Sequence, residues 1–237
     1  MGRRIVVHRC LAVATVLALA CSSSPRSVPK VKAPALNTQI SVSDEKTIDE
    51  TRSYLVPNFG TTGYMHVTQV DMPFRIAIDY PRNPPKYGSR DDARAAAIEG
   101  ILLWQEAIQE QVPWFVLEFV TEDPDAPVQI EWKRRTTGSA AGRAWWTCEV
   151  YGDRPRVGGR IEIAIRQSPT SQPLTVPEIR LLAAHEFGHV LGLRHCLECD
   201  SAMNYAWHTK KRVLVTGSDV RTFQELLSKP NECRGTK

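Results

Sequence analysis

No apolar stretch of this 237-residue chain reaches the roughly 20 consecutive residues that a membrane-crossing helix needs. The run from Leu11 to Ala20 is too short for that role. A dense lysine and arginine stripe is missing too, which argues against a nucleic-acid partner. The basic run Lys210-Lys211-Arg212 reads as a solvated loop. No internal repeat is visible, so one domain with extensions is expected rather than a repeat array. A core is not among the things lacking, because 42% hydrophobic and 24% charged residues are ordinary for a globular chain.

What is present begins with an export pattern. Arg3, Arg4 and Arg9 precede the apolar run, and Ala18-Leu19-Ala20 offers the small-x-small cleavage pattern of a signal peptide over residues 1–20. Its removal takes three of the 30 basic residues and none of the 26 acidic ones, leaving 27 against 26. Cys21 follows directly, in a context similar to a bacterial lipobox, with Leu19 two rather than three positions before it. It is either the lipidated start of an envelope lipoprotein or an incidental residue of a secreted protein. Residues 21–38, rich in Ser, Pro and Lys, are expected to form a disordered tether. Residues 39–70 read as an N-terminal extension or a pro-region. Cys148, Cys196, Cys199 and Cys233 complete an even set, which outside the cytoplasm suggests disulfides and leaves three full pairings open.

Regular structure becomes readable at Phe74 to Ile78, an alternating strand. Pro81, Pro84 and Pro85 then interrupt it. Asp91 or Ser89 can cap a helix through Ala95, Ile98, Ile101, Leu102, Trp104 and Ile108, whose spacings, mostly of three and four, set one apolar stripe against a core. Strands are expected from Phe115 to Val120, Val128 to Trp132, Gly142 to Val150 and Gly159 to Ile165. A helix opens near Pro177, a residue suited to a first turn, and a last helix covers Ser218 to Leu227.

The helix near Pro177 carries the chemistry. It reads Ala184-His185-Glu186-Phe187-Gly188-His189-Val190-Leu191-Gly192-Leu193-Arg194-His195. Positions four apart share a helix face, so His185 and His189 can hold one metal ion. Gly192 lets the chain leave the helix in a conformation other residues avoid, and the turn returns His195 as a third ligand. Three neutral nitrogens with an open fourth position suit one catalytic Zn2+ rather than a closed structural site. Glu186, next round the helix, is placed to accept a proton from an attacking water and pass it to a leaving amine.

This string resembles the metzincin metallopeptidase signature, in which a methionine-bearing turn follows the third histidine. Ser201-Ala202-Met203-Asn204-Tyr205 supplies that turn, and its short distance from His195 resembles the matrixin branch. The Phe74 strand, the Trp104 helix and the final helix with Gly217-Ser218-Asp219-Val220 are similar to that branch as well, so the resemblance covers about residues 71–229. There is no matrixin-like cysteine-switch propeptide, and His66 and His208 alone cannot form a second zinc site of the animal type. Cys196 and Cys199 directly after His195 are similar to an archaemetzincin pair, but the second pair of that family is missing, so a disulfide is expected there.

The resemblance implies an α/β metzincin-type catalytic domain over residues 71–233, with a twisted five-stranded mixed sheet and three helices. Met203 would floor the site. Its antiparallel edge strand, Gly142 to Cys148, would take an extended protein or peptide substrate by β-augmentation, with Trp145 and Trp146 beside the cleft. Tyr205 stands two residues after the methionine, as in serralysins and astacins, which implies either an oxyanion partner or a packing residue beneath the site. The expected activity is zinc-dependent endopeptidase, the expected state a monomer. The alternative is a non-catalytic, zinc-bearing surface lipoprotein that binds peptides or envelope components.

Overall fold

The computed structural model describes residues 53–56, 63–136, 141–151, 154–166, 172–197, 199–205 and 215–233. The export signal, Cys21, the tether, most of residues 39–62 and the Lys210-Lys211-Arg212 run lie outside them. Among the described residues, five strands form one sheet: β1 (Phe74–Ile78), β2 (Leu117–Val120), β3 (Val128–Lys133), β4 (Gly142–Tyr151) and β5 (Arg154–Ala164). Three helices accompany it: α1 (Arg90–Ile108), α2 (Val176–Val190) and α3 (Gly217–Leu227). The strand order is β2-β1-β3-β5-β4. The β1/β2, β1/β3 and β3/β5 pairings are parallel, and β4 runs antiparallel to β5 at the sheet's edge. The α/β fold expected from the sequence is therefore the fold observed, edge strand included.

Local chemistry accounts for the element boundaries. Ser89 rather than Asp91 caps α1, accepting from the Asp92 amide while Asp92 accepts from the Ser89 amide. Thr175 and Glu178 close the same reciprocal box on α2, with Pro177 in its first turn. Phe74, Ile76 and Ile78 bury one face of β1 completely, while the opposite face carries buried Ala77 and half-exposed Arg75. β2 starts two residues later than expected, because the amide of Phe115 closes a turn on the Val112 carbonyl. β5 starts earlier than expected. Gly159–Ile163 pairs with β3 and β4 together, whereas its first residues pair with β4 alone and need no continuous apolar run.

α2 is sandwiched between α1 and the sheet, which is why Ile179, Leu181 to Gly188 and Val190 are all buried. α1 approaches it at Gly100, where a Cβ would stand 2.1 Å from the Arg180 carbonyl oxygen. The indole of Trp104, fully buried, donates to the Ala184 carbonyl at 2.8 Å and fixes the two helices in register. Phe74, Ile76, Ile161, Ile163 and Phe187 fill the space between α2 and the sheet. The cysteines pair as Cys148–Cys233 and Cys196–Cys199. Where residues 53–56 are described, they lie on α3: the Tyr54 amide donates to Thr222 and its hydroxyl to Asp219 at 2.5 Å. No helix among the described residues is long and apolar enough to cross a membrane.

Candidate metal centre

The helical repeat places His185 and His189 one turn apart on α2, their rings edge to face with centroids 4.8 Å apart. The chain then reverses. Gly192 has φ 97°, a left-handed conformation that costs glycine nothing, and the Leu193 amide returns to the Gly188 carbonyl at 3.0 Å. That reversal brings the Nε2 of His195 to 3.2 Å from the Nε2 of both His185 and His189.

The outward nitrogens fix the tautomers. Nδ1 of His185 lies 2.7 Å from the Ala202 carbonyl, and Nδ1 of His189 lies 2.8 Å from the Leu193 carbonyl. A carbonyl can only accept, so both rings carry their proton on Nδ1 and aim a bare Nε2 lone pair inward. Lone pairs facing one another at this distance repel unless a cation lies between them. A tetrahedral ion bonded to nitrogens at about 2.0–2.1 Å holds them about 3.3 Å apart, so the set fits zinc.

Electrostatics keep the ligands neutral. Burial pushes His185 down to about 3, helped by the neighbouring His189 and His195, and pushes His189 down to about 4. His195 is lowered by burial as well. Burial raises Glu186 to about 8 against the opposing charge of Arg143. A dication among the adjacent imidazoles would draw that carboxyl back toward its ionised form.

Met203 lies beneath the site and is fully buried. A Cβ on Gly188, between the two α2 histidines, would stand 2.2 Å from its Sδ and 2.6 Å from Trp104 Cζ2, so the glycine admits both side chains against the helix. The turn is tied down locally. Ser201 Oγ accepts from the Met203 amide at 3.1 Å, Asn204 Nδ2 donates to the Cys199 carbonyl at 2.6 Å, and the Cys196 amide donates to the Met203 carbonyl at 2.9 Å.

Tyr205 does not lie beneath the site. It is 67% exposed, with its ring edge-on to His195 at 5.1 Å between centroids. The two tryptophans expected beside the cleft separate, because successive strand residues point to opposite faces. Trp146 pairs with Gly159 and shares the helix-facing side, while Trp145 pairs with Arg160 on the other face and stacks near its guanidinium, 5.7 Å from the ring centroid.

Sequence reading missed three residues that the fold brings in. Arg143 sits close enough to act on the Glu186 carboxyl. Gly142 lies against Glu186 directly. Asp219, fully buried, accepts from Tyr54 and Thr216 and also binds Ser201 of the methionine turn. In the sequence Gly142 reads only as the start of the edge strand and Asp219 only as part of the final helix's first turn.

A family model described as Matrixin, of the M10 peptidases, matches residues 81–228. No curated protein matches the chain. With that match spanning more than half of the sequence, and three imidazoles converging as a zinc metallopeptidase requires, the chain belongs to the matrixin family.

Proposed function

We propose that the protein is a zinc-dependent endopeptidase that cleaves extended protein or peptide segments. The observation that carries this reading is the inward convergence of three Nε2 atoms, two of them held in the ligating tautomer by main-chain carbonyls. His185, His189 and His195 are the ligands. Bound there, zinc supplies Lewis-acid polarisation of a water and of a peptide carbonyl.

The chain's own residues do the rest. Glu186 takes a proton from the attacking water as its oxygen bonds to the carbonyl carbon. It then delivers that proton to the amide nitrogen as the C–N bond breaks, which leaves a carboxyl and a free amine. Burial serves this role, since a carboxylate shielded from bulk water holds the accepted proton until the nitrogen takes it. β4 ends the sheet, and its outer edge suits main-chain pairing with an extended substrate. Tyr205 stands at the rim beside His195, where its hydroxyl can reach a developing oxyanion. An exported, monomeric protein suits two disulfides and the signal-like N-terminus, with Cys21 as a membrane tether if lipidated.

Glu186→Gln tests the assignment on the purified mature chain. The variant is expected to keep about one zinc per chain and to lose nearly all turnover of a library peptide, since Glu186 acts outside the ligand set. Retained turnover would remove it from the mechanism. Zinc without turnover in the wild type would leave a zinc-bearing binding module instead.

A further inference from the structure

β4 opens with Gly142, paired to Ile163 and pointing, with Ala144 and Trp146, to the side that α2 occupies. Glycine is a poor strand residue, and within a strand it marks a place where something comes close. The backbone does not call for it here. Among the described residues the glycine with positive φ is Gly192, so Gly142 has torsions that alanine also adopts.

Space calls for it. A Cβ at Gly142 would stand 2.5 Å from Oε1 of Glu186, 2.8 Å from its Cγ and 2.7 Å from Leu182 Cδ1. All three contacts are side-chain atoms. At Gly100 and Gly158, by contrast, a Cβ would meet fixed backbone, the Arg180 oxygen and the Pro127 oxygen. A methyl group at those positions would have to move the fold. At Gly142 it has to move the Glu186 side chain and one Leu182 methyl, not the backbone.

We propose that Gly142 is a positioning residue for Glu186: its missing side chain lets the carboxylate rest against the edge strand. The inference rests on the peptidase reading above and deepens it. A peptide added to the outer edge of β4 would lie about 4.8 Å from that strand. One strand then fixes both the substrate's main chain and the base that serves it, so their separation is set by a single element. A methyl at Gly142 would drive the carboxylate off this reference while His185 and His189, carried on the helix backbone, stay in place.

The test compares the mature wild type, Gly142→Ala, Glu186→Gln and the double variant on one library peptide, with zinc content and Tm measured for each. Gly142→Ala is expected to lower kcat about 10-fold or more, with KM changed less than about 3-fold and zinc and Tm unchanged. In the Glu186→Gln background the same change is expected to have no further effect on residual turnover, because both substitutions act through one group. Unchanged kcat in Gly142→Ala overturns the proposal. So does a kcat loss that comes with lost zinc or lowered Tm, or one that persists undiminished in the Glu186→Gln background, since each makes Gly142 scaffold. An inactive wild type sinks the peptidase reading itself, a result distinct from all of these.

Discussion

At His185 and His189 the ring proton is held at Nδ1 by a carbonyl, and burial keeps the rings uncharged, so ligation needs no prior deprotonation near neutral pH. Glu186 is the group that pays for burial. Its carboxyl is raised to about 8 in the folded chain and stands at 4.5 as a free side chain, so between those values the folded state holds a proton that the unfolded state has lost. Stability of the metal-free protein falls as pH rises across that window. Glu186→Gln removes this slope. Metal-free Glu186→Gln is therefore expected to match the wild type near pH 4.5 and to gain on it toward pH 8, by an amount on the order of a few kcal/mol. Chemical denaturation at several pH values reads it, and a difference that stays flat would mean that the carboxyl is solvated. Tyr205 poses a narrower question. Its exposure leaves the ring with little packing to lose, so Tyr205→Phe should leave Tm unchanged and cut kcat about 10-fold if the hydroxyl meets the oxyanion. An unchanged kcat makes it a rim residue. His185, His189 and Glu186 were legible because helical periodicity relates them, and His195 because Gly192 marks the turn that returns it. Gly142 and Arg143 were not, because only sheet pairing and the packing of α2 on β4 bring them to Glu186.

The helix α2 shows how an element carries a site. It is buried almost all round, so its sequence lacks the usual polar face, and small residues stand where neighbours press closest. Alanine is the better helix former than glycine by about 1 kcal/mol, so propensity alone predicts that Gly188→Ala stabilises the protein. Packing predicts the reverse. The new methyl would meet Met203 Sδ and the Trp104 ring, and the ring is held by its bond to Ala184. We expect a net loss of about 1–3 kcal/mol, read as a lower Tm, with weaker zinc binding as the turn bearing the Ala202 carbonyl shifts. A raised Tm would show that Met203 yields freely. Element positions were mostly legible from period and caps, while facing was not. That Trp145 points away from α2 follows from its pairing with Arg160, and nothing local to Trp145-Trp146 reveals that register.

Across the whole molecule, the chain's distant parts are tied to the two elements that frame the site. Tyr54 reaches Asp219 on α3, which also holds Ser201 of the methionine turn. Cys148 on β4 is bonded to Cys233 beyond α3. An even cysteine count could not select that pairing, since the partners are 85 residues apart and meet only through the complete fold. The two disulfides should differ in kind. Cys196–Cys199 closes a loop of separation 3, so it constrains the unfolded chain little and acts by holding the segment next to His195. Cys148–Cys233 closes a long loop, for which chain entropy gives about 4–5 kcal/mol and measured cases usually about 2–4 kcal/mol. Replacing both Cys148 and Cys233 with serine should lower Tm by roughly 5–15 °C, because one kcal/mol moves a domain of this size by about 2–4 °C. Cys148 belongs to the edge strand proposed to receive the substrate, whereas His185, His189 and His195 lie on α2 and the turn after it. The same double variant should therefore raise KM more than it lowers kcat, and keep its zinc. Replacing Cys196 and Cys199 should do the opposite, with a small change in Tm and weaker zinc binding. Equal effects of the two pairs on Tm and zinc would mean that the site and the edge strand are not separately anchored.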